Sequence, residues 1–381
     1  AEGGCASVMV HCTRPQGLTS LVDEAAQVAQ AAQDVGVRIA FAIALRDRNP
    51  VVYGHTAHVS ELLPASAQAA LERYFRVPSM SIRDQLEQVN AVAQETDGAG
   101  VEVQYGPTGV QWCSEAMLEA IAEDSANTGR RIHMHFLETR YQREYMDYLY
   151  PNGVVERLWE IGLLSTRLTL AHCVWARPDE LKLLAKCGVT IAINTSSNLH
   201  LRSGIAPVES MRQAGCRVAV GLDGCALDED DDAMRELRLN TFLHDQLGFS
   251  LRDTRREMLR SATGNGRSSV GAPGSGVIAV GECADWMTLD LDALDRDRIM
   301  PVASDDLLFS RATRKYLDEL VVAGRTVVSR GTVKGIDLSA VQEELRKRFR
   351  KALAGRNDII AQWPEIEESV ARFYRNQTGC C

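Results

Sequence analysis

The sequence predicts an α/β barrel of the (β/α)8 TIM type that lacks its first strand, followed by a small partial β-subdomain and C-terminal helices. Three observations carry this. A helical stripe that ends in glycine and runs into a short apolar segment recurs through the first 265 residues. The apolar segments are nearly continuous instead of alternating, as parallel strands covered on both faces are. Polar residues able to do chemistry, His11, His135, His172, Asn194 and Asp223, stand at the C-terminal ends of those segments, the end at which such barrels build their sites. A doubly wound sheet would instead show a glycine-rich phosphate turn after its first strand, and none follows residues 7–12.

Taken in order, the first strand lies near residues 7–12. Leu21, Val22, Ala25, Val28, Ala29 and Ala32 then make a helical stripe closed by Gly36, and the run from Val37 to Leu45 is the next strand. Residues 46–100 are expected to form a long insertion, and loops of that length on the catalytic side often become lids. Strands follow near 101–106, 131–137, 168–173, 189–194 and 217–223. Ser114 caps a stripe of Met117, Leu118, Ile121 and Ala122 that ends near Gly129, and Pro178 opens a helix that Gly188 closes. The expected division is a barrel over residues 1–265 holding strands 2 to 8, a partial β-sandwich subdomain over 266–335 and a helical segment over 336–381. Within the last two, strands are expected near 284–291 and 320–329, and helices near 338–354 and 364–374.

Composition narrows the function. Forty-two basic against 51 acidic side chains give a net charge of −9 over 381 residues, so no general attraction to phosphate backbones or anionic lipid is expected. No apolar run approaches the ~20 residues that span a bilayer. Ala1-Glu2-Gly3-Gly4-Cys5 has neither the basic start nor the apolar core of a signal peptide. The ten cysteines show no C-x-x-C spacing, and Cys380-Cys381 makes no prenylation box. Free thiols in a reducing, cytoplasmic compartment are the expectation.

His133 and His135 are two apart on one strand and therefore share a face. His135, His172 and Asp223 end three different strands, which a barrel gathers at one mouth. Imidazole and carboxylate are the donors of a catalytic zinc or iron site, and Glu138 is placed to move protons beside it. Each residue taken alone has a plainer reading, His172 as a hydrogen-bonded core histidine among them. His133 is read as a hydrogen-bonding support for the site, one layer deeper. Gln111 and Trp112 could read and stack on a flat heterocycle, although Trp112 also suits the core. Asn198 and Arg202 could line a pocket or belong to a turn built from Ser196, Ser197 and Asn198. Tyr53, His55 and His58 are candidate substrate contacts. The acidic run Asp228 to Asp232 reads as a solvated loop and helix start, and the basic run Arg346 to Lys351 as a solvated helix face.

Five segments in order, His133-Met-His-Phe-Leu-Glu-Thr139, Leu170-Ala-His-Cys173, Asn194 through Val208, Gly221-Leu-Asp-Gly224 and Gly281-Glu-Cys-Ala-Asp285, resemble the amidohydrolase superfamily. Within it they are most similar to the branch of cytosine, guanine and 8-oxoguanine deaminases and chlorotriazine hydrolases. The resemblance runs from about residue 3 to 330. It implies one divalent metal ion, zinc or iron, held by His135, His172 and Asp223. It also implies catalysis by Glu138 as proton shuttle, His172 as orienting group and Asp223 as base. Gln111, Trp112 and Asn198 are then the substrate-binding candidates.

The implied activity is deamination of an N-heterocycle (a purine, pyrimidine, pterin or triazine) through a metal-bound hydroxide. Such an enzyme has a small-molecule substrate, no nucleic-acid or membrane partner, and a homo-oligomeric intact form. One departure stands out. The family's first strand carries an H-x-H pair, and His55-Thr-Ala-His58 has the wrong spacing for it. The expectation is therefore a chain truncated at its N-terminus. The alternatives are a cyclic-amide hydrolase of the imidazolonepropionase type and a catalytically dead fragment or binding module.

Overall fold

The computed structural model describes residues 1–13, 19–48, 51–54, 56–75, 80–98, 100–224, 230–245 and 254–378. His55, Cys225, Asp228, Glu229, Cys380 and Cys381, singled out in the sequence, lie outside them. Seven parallel strands form one curled sheet in chain order: β1 Ser7–Cys12, β2 Arg38–Leu45, β3 Val101–Pro107, β4 Ile132–Phe136, β5 Leu168–His172, β6 Thr190–Ile193 and β7 Arg217–Val220. All seven fall on the predicted apolar runs. Helices on the outer face cover the sheet as in a TIM-type barrel.

The helices start and stop for local reasons. Ser20 accepts from the Asp23 amide to begin Leu21–Val35, which buries Leu21, Ala25, Ala29 and Ala32. That helix ends at Gly36, whose φ of 93° suits a residue without a side chain. Ser114 caps Glu115–Thr128 in the same way, with Met117, Leu118 and Ile121 inward. On the sheet's outer face Ile132, Met134, Phe136, Leu168 and Leu170 are buried to within 1%. This is the continuous apolar layer that a helix-covered parallel sheet needs.

Register fixes what faces inward. His11 pairs with Ala42 and Ala42 with Gln104, while His135 pairs with Ala171, Ala171 with Ala192, and Ala192 with Ala219. Side chains in register across neighbouring strands share a face. The barrel interior therefore receives histidines beside a row of alanines, which leaves room at the mouth.

The segment expected as one insertion over 46–100 is two things. Ile82–Thr96 is a barrel helix that begins at a Ser81 cap and buries Val89, Val92 and Ala93. Ala57–Ser60 and Ala65–Tyr74 instead pack, through Val59, Ala67 and Leu71, on Ile359, Ile366 and Phe373 of the C-terminal helix Asn357–Thr378. The periodicity that marks Ile82–Thr96 was as legible as in its neighbours.

A second, antiparallel sheet of β8 Trp286–Leu289, β9 Leu317–Val322, β10 Arg325–Ser329 and β11 Thr332–Val333 follows the barrel. Asp285 ties the two sheets together. Its carboxylate accepts from Arg38 on β2 at 2.6 and 3.2 Å, from Arg267 at 2.6 Å and from the Ala323 amide at 2.6 Å. Burial raises the Asp285 proton affinity, but the Arg38, Ala323 and Arg267 hydrogen bonds outweigh it and hold the carboxyl below its usual range. The helix Leu338–Ala354 is exposed along its length, including its basic run. No described helix is long and apolar enough to cross a membrane, and the seven described cysteines are free.

Candidate active site

At the C-terminal end of β4, His135 points inward and its Nδ1 lies 2.9 Å from the Thr108 carbonyl oxygen. An acceptor there fixes the proton on Nδ1 and leaves Nε2 as the lone-pair nitrogen. The His135 ring stacks beside His172 at 5.6 Å between centres and stands edge-on to His11 at 4.8 Å.

His172 reaches the mouth by a backbone irregularity. It pairs with Phe136, an outward residue, so regular alternation would send it out of the barrel. Its φ is 74°, a left-handed conformation that costs a non-glycine residue roughly 1–2 kcal/mol, and this turn re-aims the ring. Its Nδ1 lies 2.9 Å from Asn198 Oδ1, which again leaves Nε2 with the lone pair. Asp223 also has a positive φ, 66°. Its Oδ2 accepts the Ser197 hydroxyl hydrogen bond. At Gly221, two residues earlier, a Cβ would stand 2.2 Å from Asn194 Oδ1, so a side chain there would displace the Asn194 amide.

Glu138 lies just past β4, on the turn into the helix Arg140–Leu149. Its backbone N–H donates to Gln142 Oε1 at 2.7 Å, and Ser203 Oγ donates to its Oε1 at 3.3 Å. Gln142 Nε2 donates in turn to Gln111 Oε1 at 2.8 Å. Burial and the proximity of His172 lower the His135 proton affinity, while the Glu138 and Asp223 carboxylates act to raise it. Both acids are therefore within electrostatic reach of this imidazole.

His11 belongs to the same cluster, although strand-end position was its only sequence signal. Both of its ring nitrogens are buried without a hydrogen-bond partner, as is His133 Nδ1. Burial, then the neighbouring His135 and His133, drives the His11 pKa well below the ordinary value, and burial brings His133 to about 3. Neutral imidazoles with unused lone pairs are metal donors. Two imidazoles on one zinc ion stand roughly 5 Å apart centre to centre, given Zn–N of about 2.0–2.1 Å, and 4.8 and 5.6 Å bracket that spacing. The donor set thus suits a borderline cation. Among the described residues no group of three or more His, Cys, Asp or Glu side chains stands close enough together to hold a metal ion as placed.

The other expectations divide. Gln111 is 3% exposed and occupied by Gln142, Trp112 lies next to it in the turn Val110–Trp112, and Asn198 is 1% exposed, held on His172. Tyr53 sits close enough to Glu138 for that charge, after burial, to raise its pKa. His58 stacks on Phe373 instead, away from the cluster. Arg202 has a φ of 59° and is exposed. Within the described part of the acidic run, Asp232 caps Ala233–His244 and Asp230 pairs with Arg235.

The amidohydrolase family profile matches residues 1–333. A 5'-deoxyadenosine deaminase of Methanosarcina barkeri is 32% identical over 248 residues, 65% of this chain and 57% of that protein. The chain thus spans less than three fifths of that relative's length. A zinc complex of an atrazine chlorohydrolase from Arthrobacter aurescens TC1 superposes with a TM-score of 0.73 at 23% identity, over 90% of this chain and 72% of the other. A zinc-bound adenosine deaminase of Xanthomonas campestris gives 0.71 at 22% identity, over 92% and 72%. Both are likenesses of fold.

Proposed function

The chain belongs to the amidohydrolase family, and from that premise we propose that it is a metal-dependent aminohydrolase acting on an adenine-type heterocycle. The observation that carries this reading is the meeting of His135, His172 and Asp223 at one end of the sheet. There Thr108 and Asn198 leave both imidazoles with free Nε2 lone pairs and Ser197 holds the carboxylate. The deaminase relative supports the adenine-type substrate class.

His135 and Asp223 would hold the ion, with the unpartnered His11 as a further nitrogen donor. When bound, such an ion supplies the Lewis acidity that lets water ionise near neutral pH. Asp223 accepts the proton of the attacking water. Glu138, fixed by Gln142 and Ser203, carries protons to the ring nitrogen and to the departing amine, because an amine leaves only when protonated. His172 orients the polarised carbon–nitrogen unit through Nε2. Water adds at the amino-bearing carbon, the C–N bond breaks, and the products are the ring lactam and ammonia. Gln111, Trp112 and Tyr53 are the side chains of this mouth that would border the heterocycle.

Zinc-supplemented protein incubated with 5'-deoxyadenosine, guanine and a triazine amine tests the reading by ammonia release. Release from 5'-deoxyadenosine, abolished by chelator and restored by zinc, is expected; release from guanine or the triazine alone would keep deamination and overturn the adenine-type substrate. Metal uptake without ammonia from any of them, together with opening of a cyclic amide, would replace deamination by cyclic-amide hydrolysis.

A further inference from the structure

Four consecutive residues, 195–198, join a buried network on one side to two site side chains on the other. Ser197 holds Asp223 and Asn198 holds His172. Immediately before them, the amides of Thr195 and Ser196 donate to Glu236 Oε1 at 2.9 and 3.2 Å. Glu236 projects from Ala233–His244 and is 0% exposed. The same oxygen takes a third hydrogen bond from Asn240 Nδ2 at 3.1 Å, and Asn240 Oδ1 accepts the Thr195 hydroxyl at 2.7 Å.

We propose that Glu236 is a positioning residue: it sets the place of the segment Thr195–His200, and through Ser197 and Asn198 it sets Asp223 and His172 together. One acceptor atom serving three N–H donors calls for a carboxylate or its isostere. It also calls for a reach of two methylenes, since the amides belong to a different element. Both site residues sit in left-handed conformations, which persist only where surrounding contacts hold them. A short helix anchored at one end supplies that hold. Two partners moved by one anchor are coupled, so displacement of the segment disturbs base and orienting imidazole at once.

The test compares Glu236→Gln, Glu236→Asp and Glu236→Ala by NMR of ¹⁵N-histidine-labelled protein, which reads the protonated nitrogen of His172, together with ammonia release. Gln keeps the acceptor and the reach, so the Nδ1–H signature of His172 is retained and kcat stays within threefold. Asp is one methylene short, so that signature is lost or broadened and kcat falls at least tenfold with KM changed less than threefold. Folded Asp or Ala variants with lower Tm but an unaltered His172 signature would overturn the proposal and leave Glu236 a purely structural residue. If Ala does not fold, the contrast between Gln and Asp decides. Only the kcat arm rests on the aminohydrolase reading. A His172 signature that follows Glu236 in a protein releasing no ammonia supports the positioning role and overturns that reading alone.

Discussion

Asn198 Oδ1 lies 2.9 Å from Nδ1 of His172, while Asn194 Nδ2, a donor, stands 3.4 Å from the same nitrogen. The shorter contact decides the tautomer, since a nitrogen facing a carbonyl oxygen must carry the proton. Asn198 thereby selects which His172 nitrogen is free for chemistry.

Asn198→Ala removes the acceptor and leaves the Asn194 donor as the neighbour. His172 should then move its proton to Nε2 and lose the free lone pair there. Stability should fall by about 1–3 kcal/mol, and kcat by at least tenfold. Histidine NMR and urea unfolding check both, and an unchanged tautomer would refute the assignment.

Asp285→Ala should destabilise the chain by about 3–5 kcal/mol, the usual cost of removing one partner from a buried ion pair. Arg38 and Arg267, whose side chains are 12% and 9% exposed, would lose their carboxylate. Chemical denaturation measures the loss, and a change under about 1 kcal/mol would show that the two sheets are held by apolar contact alone.

The barrel was legible because continuous apolar runs and glycine-closed helices report local physics. The amidohydrolase resemblance read from five motifs is matched by the family profile over residues 1–333. Asp285 ended one of those motifs without an evident role, since its partners Arg38 and Ala323 are distant in sequence. The conformation of His172 was not legible at all. Strand parity places it outward with Phe136, and only the left-handed turn at 172 brings it in. His11 carried a weak signal for a related reason: its neighbours His133 and His135 lie across the barrel, three strands away. Asn198 read as a pocket residue because its type suits either task, whereas its burial assigns it to His172.

A pH dependence follows from His244, which contacts Thr195 Oγ1 through Nε2 at 3.4 Å. Burial, then Arg212, holds this histidine down to about 4, against about 6.5 for an unfolded one. The unfolded chain therefore takes up the proton first. The contribution is fully present above about pH 6.5 and is lost as pH falls toward about 4, amounting to on the order of 3 kcal/mol. His244→Leu should flatten the stability profile over that window relative to the unsubstituted protein. Parallel profiles would show that His244 titrates normally.

The most direct test of the account separates ion holding from proton transfer. Zinc content after gel filtration should be compared among the unsubstituted protein, Asp223→Asn and Glu138→Gln, alongside ammonia release. Asp223 is assigned to the ion and to the attacking water, so its variant should lose most of its zinc and its activity. Glu138 is assigned to substrate protons only, so its variant should keep zinc within about 20% of the unsubstituted protein and still lose activity at least a hundredfold. Equal zinc loss in both variants would contradict the division of roles on which the proposed chemistry rests.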